Sequence, residues 1–175
     1  GRFRNFMSYG RQWIAGPGSE DCHGRALWAL GAVIGSADDP GRKNLADKLF
    51  HAALPAVRDF TSPRAWAYAL LGIDAYLGAF AGHSMVQSLG KELGSRLFGL
   101  FERQRTDDWP WFEDRATYCN ARMPQALIAS GRWELELLQT PRGDGGFGYD
   151  PLVLVPTHGC SVAELPAAVK NDISH

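Results

Sequence analysis

Two stretches of the chain set carboxylates beside side chains that could share chemistry with them. The first, Ser19-Glu20-Asp21-Cys22-His23, stands immediately before a helical pattern containing Arg25, Leu27 and Leu30. The second, Asp107-Asp108-Trp109-Pro110-Trp111-Phe112-Glu113-Asp114, precedes a similar pattern around Cys119 and Arg122. Flat aromatic faces pack on the apolar C–H faces of sugar rings, and neighbouring carboxylates bind hydroxyls or act as general acid and base. On this reading Glu20, Asp21, Glu113 and Asp114 are candidate catalytic residues, and Trp109, Trp111, His23 and Arg122 are candidate contacts to a glycan or sugar ligand. A structural reading stays open beside it. The same acids can cap helix starts and meet the positive end of the helix dipole, the tryptophans can fill the space between hairpins, and His23 can be a core histidine. Arg122, one turn into its expected helix, is placed to pair with Glu113 or Asp114.

A third stretch, Gly143-Asp144-Gly145-Gly146-Phe147-Gly148-Tyr149-Asp150-Pro151, reads either as a glycine-rich turn between strands or as a nucleobase pocket. In the pocket reading the glycines let the backbone approach a ring, Phe147 or Tyr149 stacks on it, and Asp150 with the backbone reads its polar edges. Lys170 and His175 are close on the final expected helix, where both could contact phosphate or base, or simply be solvated.

The elements that must hold these groups are mostly helical from Cys22 to about Gly131. Trp66, Leu70, Ile73, Leu77 and Phe80 share one helical face, and Ser62-Pro63 ahead of them supplies an N-cap followed by proline at the first helical position. Leu45, Leu49, Ala53, Val57 and Phe60 form a second expected stripe after the Asp39-Pro40-Gly41 turn. Val86, Leu89, Leu93, Leu97 and Phe101 form a third, with Gly90, Gly94 and Gly99 suggesting close packing. Short links, 60–63 and 82–85, alternate with long aromatic ones, 3–20 and 106–117, as in stacked helical hairpins. Cys22, Arg25, Ala29 and Leu30 recur at one fixed offset as Cys119, Arg122, Ala126 and Leu127, each set expected to open a helix after an aromatic loop. Beyond Trp133 the texture changes. Leu135–Thr140 and Leu152–Val155 read as strands, and Ser161 to Glu164 as a capping box opening a last helix. The expected fold is mainly α: a partial α/α toroid of helical hairpins over residues 1–133, followed by a short α/β tail segment over residues 134–175.

The motifs Gly1-Arg2-Phe3-Arg4-Asn5-Phe6-Met7-Ser8-Tyr9, Gly18-Ser19-Glu20-Asp21-Cys22-His23-Gly24-Arg25, Phe60-Thr61-Ser62-Pro63-Arg64-Ala65-Trp66-Ala67 and Trp109-Pro110-Trp111-Phe112-Glu113-Asp114 together resemble the bacterial α/α-toroid (six-hairpin-like) domain found with, or fused to, family-4-type glycosyltransferases. The resemblance implies a helical ring with a role in handling glycans, glycosyltransferase- or glycosidase-linked, and no cofactor. Where that family tends to carry a pocket aspartate, this chain has Cys119. Earlier hairpins of the ring have no counterpart in the sequence, so the ring is expected to be incomplete and to self-associate through its open edge.

The string Gly145-Gly146-Phe147-Gly148-Tyr149-Asp150-Pro151, then Ala163-Glu164-Leu165 and Lys170-Asn171-Asp172-Ile173-Ser174-His175, is similar to the C-terminal part of the inosine/xanthosine triphosphate pyrophosphatase family, over about residues 138–175. That family hydrolyses non-standard purine nucleoside triphosphates to monophosphates with Mg²⁺. By resemblance Phe147, Tyr149 and Asp150 form the base pocket, and Lys170, Ser174 and His175 close it. Val153 stands where the family usually has Phe, and Cys160 where Lys is common. The family's phosphate-binding lysine and metal-holding carboxylates have no recognised counterpart, so the strip is expected to contact a base without hydrolysing the nucleotide. The whole chain therefore reads as a composite of two incomplete parts.

Composition narrows the alternatives. With 175 residues, 45% of them hydrophobic, the chain can bury a core without disulfides or metals. Its 18 Lys+Arg and 19 Asp+Glu leave a net charge of −1 and no basic run, which argues against a nucleic-acid partner. Its apolar stretches fall short of a membrane span and no charged-then-apolar leader opens the sequence, so a cytoplasmic protein is expected. Cys22, Cys119 and Cys160 lack C-x-x-C spacing and read as free thiols.

Overall fold

The fold was obtained as a computed structural model that describes residues 1–14, 16–134, 136–137, 143, 153–155, 160–166 and 169. The chain divides into two compact units, Gly1–Ser130 and Gly131–His175.

Helices start where the capping chemistry dictates. In α1 (Glu20–Ser36) the Ser19 hydroxyl accepts from the Cys22 N–H, and in α2 (Pro40–Ala53) the Asp39 carboxylate accepts from Arg42. In α3 (Pro63–Ala79) Ser62 accepts from Ala65, and both α2 and α3 begin on proline, whose missing N–H costs nothing there. A 3-10 turn, Leu54–Asp59, follows α2. Two further helices are α4 (Ser84–Gln104) and α5 (Arg122–Glu134).

The core of the first unit is built around α3, whose Ala65, Ala67, Tyr68, Leu70, Leu71, Ile73 and Tyr76 are buried on all sides of the helix. Such a helix must touch neighbours all round. Against α1 the approach is backbone to backbone. A β-carbon on Gly72 would lie 2.6 Å from the Leu27 carbonyl oxygen, one on Gly24 2.8 Å from that of Ala65, and one on Gly31 would collide with Gly72 itself. Glycine is needed at this crossing for space.

Along α4 Val86, Leu89, Leu93 and Leu97 are buried together with Gly90 and Gly94, as the periodicity predicts, while Phe101 at the end of the stripe is half-buried. On α3, Leu70, Ile73 and Leu77 are buried, whereas Phe80 caps the helix and is 41% exposed. The α2 stripe is a correction. Leu45 and Leu49 are exposed, and the buried face is Ala46, Phe50 and Ala53. One position is about 100° around a helix. Phe50 takes the core place by stacking on Tyr76 of α3, with ring centroids 5.0 Å apart and planes 9° from parallel. Val57 and Phe60 still reach the core because the 3-10 turn at Leu54-Pro55 re-aims the chain.

Helix α5 begins at Arg122, after a turn in which Cys119 takes the left-handed conformation with φ of 52°. The two copies of the internal match therefore meet their helices differently: Cys22 lies inside the first turn of α1, and Cys119 lies before α5.

In the second unit, β1 (Glu136–Leu137), β2 (Val153–Val155) and β3 (Cys160–Ser161) form an antiparallel sheet in the order β1-β2-β3, with Leu154 opposite both Glu136 and Ser161. The expected capping box is formed: Ser161 N–H donates to Glu164 Oε2 (2.7 Å) and Glu164 N–H to Ser161 Oγ (3.2 Å). It opens a 3-10 turn, Val162–Glu164. Gly143, with φ of 81°, lies so near this turn that a β-carbon would come within 2.7 Å of Glu164 Cγ. All three cysteines are free thiols. Among the described residues no helix is long and apolar enough to cross a membrane.

Candidate functional site

The loop between α4 and α5 is organised around Glu113. Phe112, 3% exposed, anchors it by packing on Phe101 at 5.1 Å. Trp109 folds back over it: its backbone exchanges hydrogen bonds with Thr106, and its indole N–H donates to the Glu113 carbonyl at 2.7 Å. The Glu113 carboxylate receives two parallel hydrogen bonds from the Arg64 guanidinium, at 2.8 and 2.7 Å, and a third from the Thr117 hydroxyl at 3.0 Å. Arg64 also donates to the Tyr118 carbonyl at 2.6 Å and to the Thr117 hydroxyl. The Arg64 guanidinium holds the Glu113 carboxyl below its ordinary range. Glu113 is thus a fixed carboxylate with both oxygens occupied, while Asp114 beside it is exposed.

Pro63, Leu100, Gln104, Phe112, Glu113, Asp114, Arg115 and Thr117 line a cavity of about 540 Å³. Nearby, Trp111 packs edge-on against Phe112 at 5.9 Å, and its buried indole N–H has no hydrogen-bond partner among the described residues. Trp109 is 41% exposed and 6.4 Å from Trp111.

The Ser19–His23 stretch differs from a loop ahead of its helix. Glu20, Asp21 and His23 lie within the first turns of α1 because Ser19 is the N-cap. Glu20 accepts from the backbone N–H groups of Thr61 (2.9 Å) and Ser62 (2.7 Å), so it closes the start of α3 as well as facing the dipole of α1. Asp21 pairs with Arg25 one turn on, at 2.9 Å. His23 is fully buried; its Nε2 bonds the Ala53 carbonyl at 3.0 Å and its Nδ1 accepts from the Phe3 N–H at 3.2 Å. Those partners fix the neutral Nε2–H tautomer, and burial pushes the imidazole below its usual range. This geometry ties three chain segments together and leaves neither ring nitrogen for a ligand.

Arg122 does not take Glu113 or Asp114. It donates to the Gln125 side chain and lies over the Trp28 ring at 4.6 Å. The cation of Glu113 is Arg64, which sequence reasoning passed over. Its one signal is position: a guanidinium in the first turn of α3 meets the unfavourable end of the helix dipole and so calls for a carboxylate partner.

Glu113 and Asp114 are thus brought to one cavity; Glu20, Asp21 and His23 are not among its lining. Phe147, Tyr149, Asp150, Lys170, Ser174 and His175 lie outside the described residues. Among the described residues no group of three or more His, Cys, Asp or Glu side chains converges so as to hold a metal ion.

The sequence profile of the Ham1 family matches residues 78–175, and the chain belongs to that family. It is 58% identical over 52 residues to a dITP/XTP pyrophosphatase of Methylibium petroleiphilum, a stretch covering 30% of this chain and 25% of the relative. It is 56% identical over 52 residues to the protein of that description from Ralstonia nicotianae, covering 30% and 26%. A third dITP/XTP pyrophosphatase, from Burkholderia pseudomallei, is 34% identical over 159 residues, covering 81% of this chain and 71% of the relative. The chain spans about a quarter of the length of the first two relatives. No solved structure matches.

Proposed function

We propose that this chain carries the base-recognition strip of a non-standard purine nucleoside triphosphate pyrophosphatase, the class that converts ITP or XTP to a monophosphate and pyrophosphate. The observation that carries the reading is the 58% identity over 52 residues to a dITP/XTP pyrophosphatase. In this reading Phe147 or Tyr149 stacks on the purine, Asp150 and the surrounding backbone read its edge, and Lys170, Ser174 and His175 close over base or phosphate. Mg²⁺ supplies charge neutralisation of the triphosphate in such a reaction. The described residues do not offer a set of ligands for it, so no hydrolytic step is assigned to them. A calorimetric titration with ITP, XTP and ATP tests the reading. Binding of ITP and XTP in preference to ATP, lost in Asp150→Ala, is expected, without release of pyrophosphate when Mg²⁺ is added. Equal affinity for ATP, or binding of none of the three, would overturn it.

A second reading concerns the helical unit alone: a glycan-associated module of partial-toroid type, with Asp114 as the available carboxylate and Trp109 and Trp111 as the aromatic surface. The cavity beside Glu113 and Asp114 favours it. Neutral oligosaccharides should then change tryptophan emission in the wild type and not in Asp114→Asn with Trp109→Ala. An unchanged spectrum across an oligosaccharide panel would remove this reading and leave the first untouched.

A further inference from the structure

The segment ahead of α1 folds into a short β-hairpin over residues 6–14 that neither functional reading uses. Met7 and Trp13 pair across it, closed by hydrogen bonds from the Ser8 N–H to the Gln12 carbonyl at 2.8 Å and from the Ile14 N–H to the Phe6 carbonyl at 3.1 Å. The Arg11 N–H donates to the Ser8 carbonyl at 2.9 Å, and Arg11 takes the left-handed conformation with φ of 57°, so Tyr9-Gly10-Arg11 forms a three-residue hairpin loop. The root of the hairpin is fixed. Gly18 N–H donates to the Phe3 carbonyl at 2.9 Å, Ser19 N–H to Asn5 Oδ1 at 3.1 Å, and Phe3 N–H to the buried His23 ring at 3.2 Å. Beyond that root every residue from Phe6 to Ile14 is exposed.

Partners across an antiparallel pair share a face, and neighbours along each strand alternate. Met7 and Trp13 therefore lie on one face, 47% and 51% exposed, and Phe6 and Ile14 on the other, 66% and 56% exposed. Tyr9 in the loop is fully exposed. A hairpin that lies on a protein surface buries one face and turns a polar one to water. This hairpin carries an apolar pair on each face, which a medium surrounding it satisfies and a partner covering one side does not. Its residues are also too few for a stable protein interface, which takes roughly 20–30 residues a side, whereas apolar side chains enter a bilayer boundary one by one.

The charge around the hairpin is of one sign. Between residues 1 and 19 the chain has Arg2, Arg4 and Arg11 and no Asp or Glu. Arg2 is occupied by the Gly18 carbonyl and the Phe60 ring. Arg4 and Arg11 are exposed and pair with no carboxylate among the described residues. Tryptophan and tyrosine favour the headgroup level of a membrane, and arginines beside them reach acidic headgroups while their stems stay on apolar surface.

We propose that the 6–14 hairpin is an interfacial anchor: Phe6, Met7, Trp13 and Ile14 enter the headgroup boundary of an anionic lipid surface, and Arg4 and Arg11 hold its acidic headgroups. This is adsorption to one leaflet and not a span, and it does not depend on either functional reading above.

The test is flotation of the full chain with vesicles of phosphatidylcholine alone and of phosphatidylcholine with about 30% phosphatidylserine. Binding to the acidic vesicles about tenfold or more above the neutral ones, falling as salt is raised, is expected. Phe6→Ser with Trp13→Ser should abolish it. Arg4→Gln with Arg11→Gln should weaken it by about tenfold or more, since each cation near the surface is worth about fivefold. All four side chains are exposed, so the circular dichroism of both variants should match wild type. Should a variant fold poorly, the lipid and salt comparison on the wild type still decides. No flotation, equal flotation with both kinds of vesicle, or undiminished flotation of either folded variant overturns the proposal. A dimer in sedimentation that Phe6→Ser with Trp13→Ser dissolves, without vesicle binding, overturns it in favour of a second copy as the occupant.

Discussion

Arg64 and Glu113 meet edge to edge, guanidinium against carboxylate, through two hydrogen bonds of 2.8 and 2.7 Å, and so fasten the loop after α4 to the start of α3. Their side chains are 15% and 24% exposed, which keeps solvent screening modest. Glu113→Gln leaves the arginine without its counter-charge and should cost about 2 kcal/mol in urea unfolding at neutral pH. The folded carboxyl titrates below its ordinary value near 4.5. The contribution is therefore complete above that pH and disappears as pH falls through the lower folded value. Wild type and Glu113→Gln should accordingly converge in stability as the solution is acidified below about pH 4.5, and parallel curves would show that the pair is not the source.

The crossing of α1 and α3 predicts opposite outcomes for two glycines. Gly31→Ala drives a methyl group into the Gly72 backbone and should cost more than about 3 kcal/mol, or prevent folding. Gly78→Ala, on the same α3 but with nothing near its would-be β-carbon, should gain about 0.5–1 kcal/mol through helix propensity. Thermal melts of the two variants beside wild type decide this, and similar shifts in one direction would be inconsistent with the packing described.

His23 predicts a second pH window. Burial lowers its folded value below 6.5, so between the folded value and 6.5 the unfolded chain binds the extra proton and stability rises with pH. Wild type should therefore lose stability as pH drops from about 6.5 until the folded value is passed. His23→Gln should flatten that slope and, by disturbing the bonds to Phe3 and Ala53, lower stability at pH 7 by about 1–3 kcal/mol. An unaltered slope would mean that some other group titrates.

The Ser161–Glu164 capping box predicts a local effect in the second unit. Ser161→Ala should weaken the turn by about 1 kcal/mol, read as faster amide exchange at Glu164, whose N–H donates to the Ser161 hydroxyl. Exchange unchanged at that amide would count against the box as the stabilising contact.

Local signals carried most of the helix boundaries. Ser19, Asp39 and Ser62 cap where their chemistry says they should, and the α4 stripe is the plain periodic case, because one face of that helix is buried and the other is not. Legibility fails where a decision is tertiary. Leu45 and Leu49 look like core positions until Phe50 finds Tyr76 on another helix and turns α2 by one position. Nothing local distinguishes Gly31 and Gly72 from other helical glycines; only their meeting makes them necessary. At the carboxylate loop the sequence flags Glu113 by its aromatic neighbours but not Arg64, which is distant in the chain. The same distance hides the encounter of Arg25 with Cys119. A side chain's chemistry is written in its type, and its partner is written in the fold.

The stacking of Trp28 on Tyr68 also has an optical consequence. With ring planes 20° apart, the two chromophores are near enough for their transition dipoles to couple, giving the near-ultraviolet circular dichroism of the helical unit a local origin.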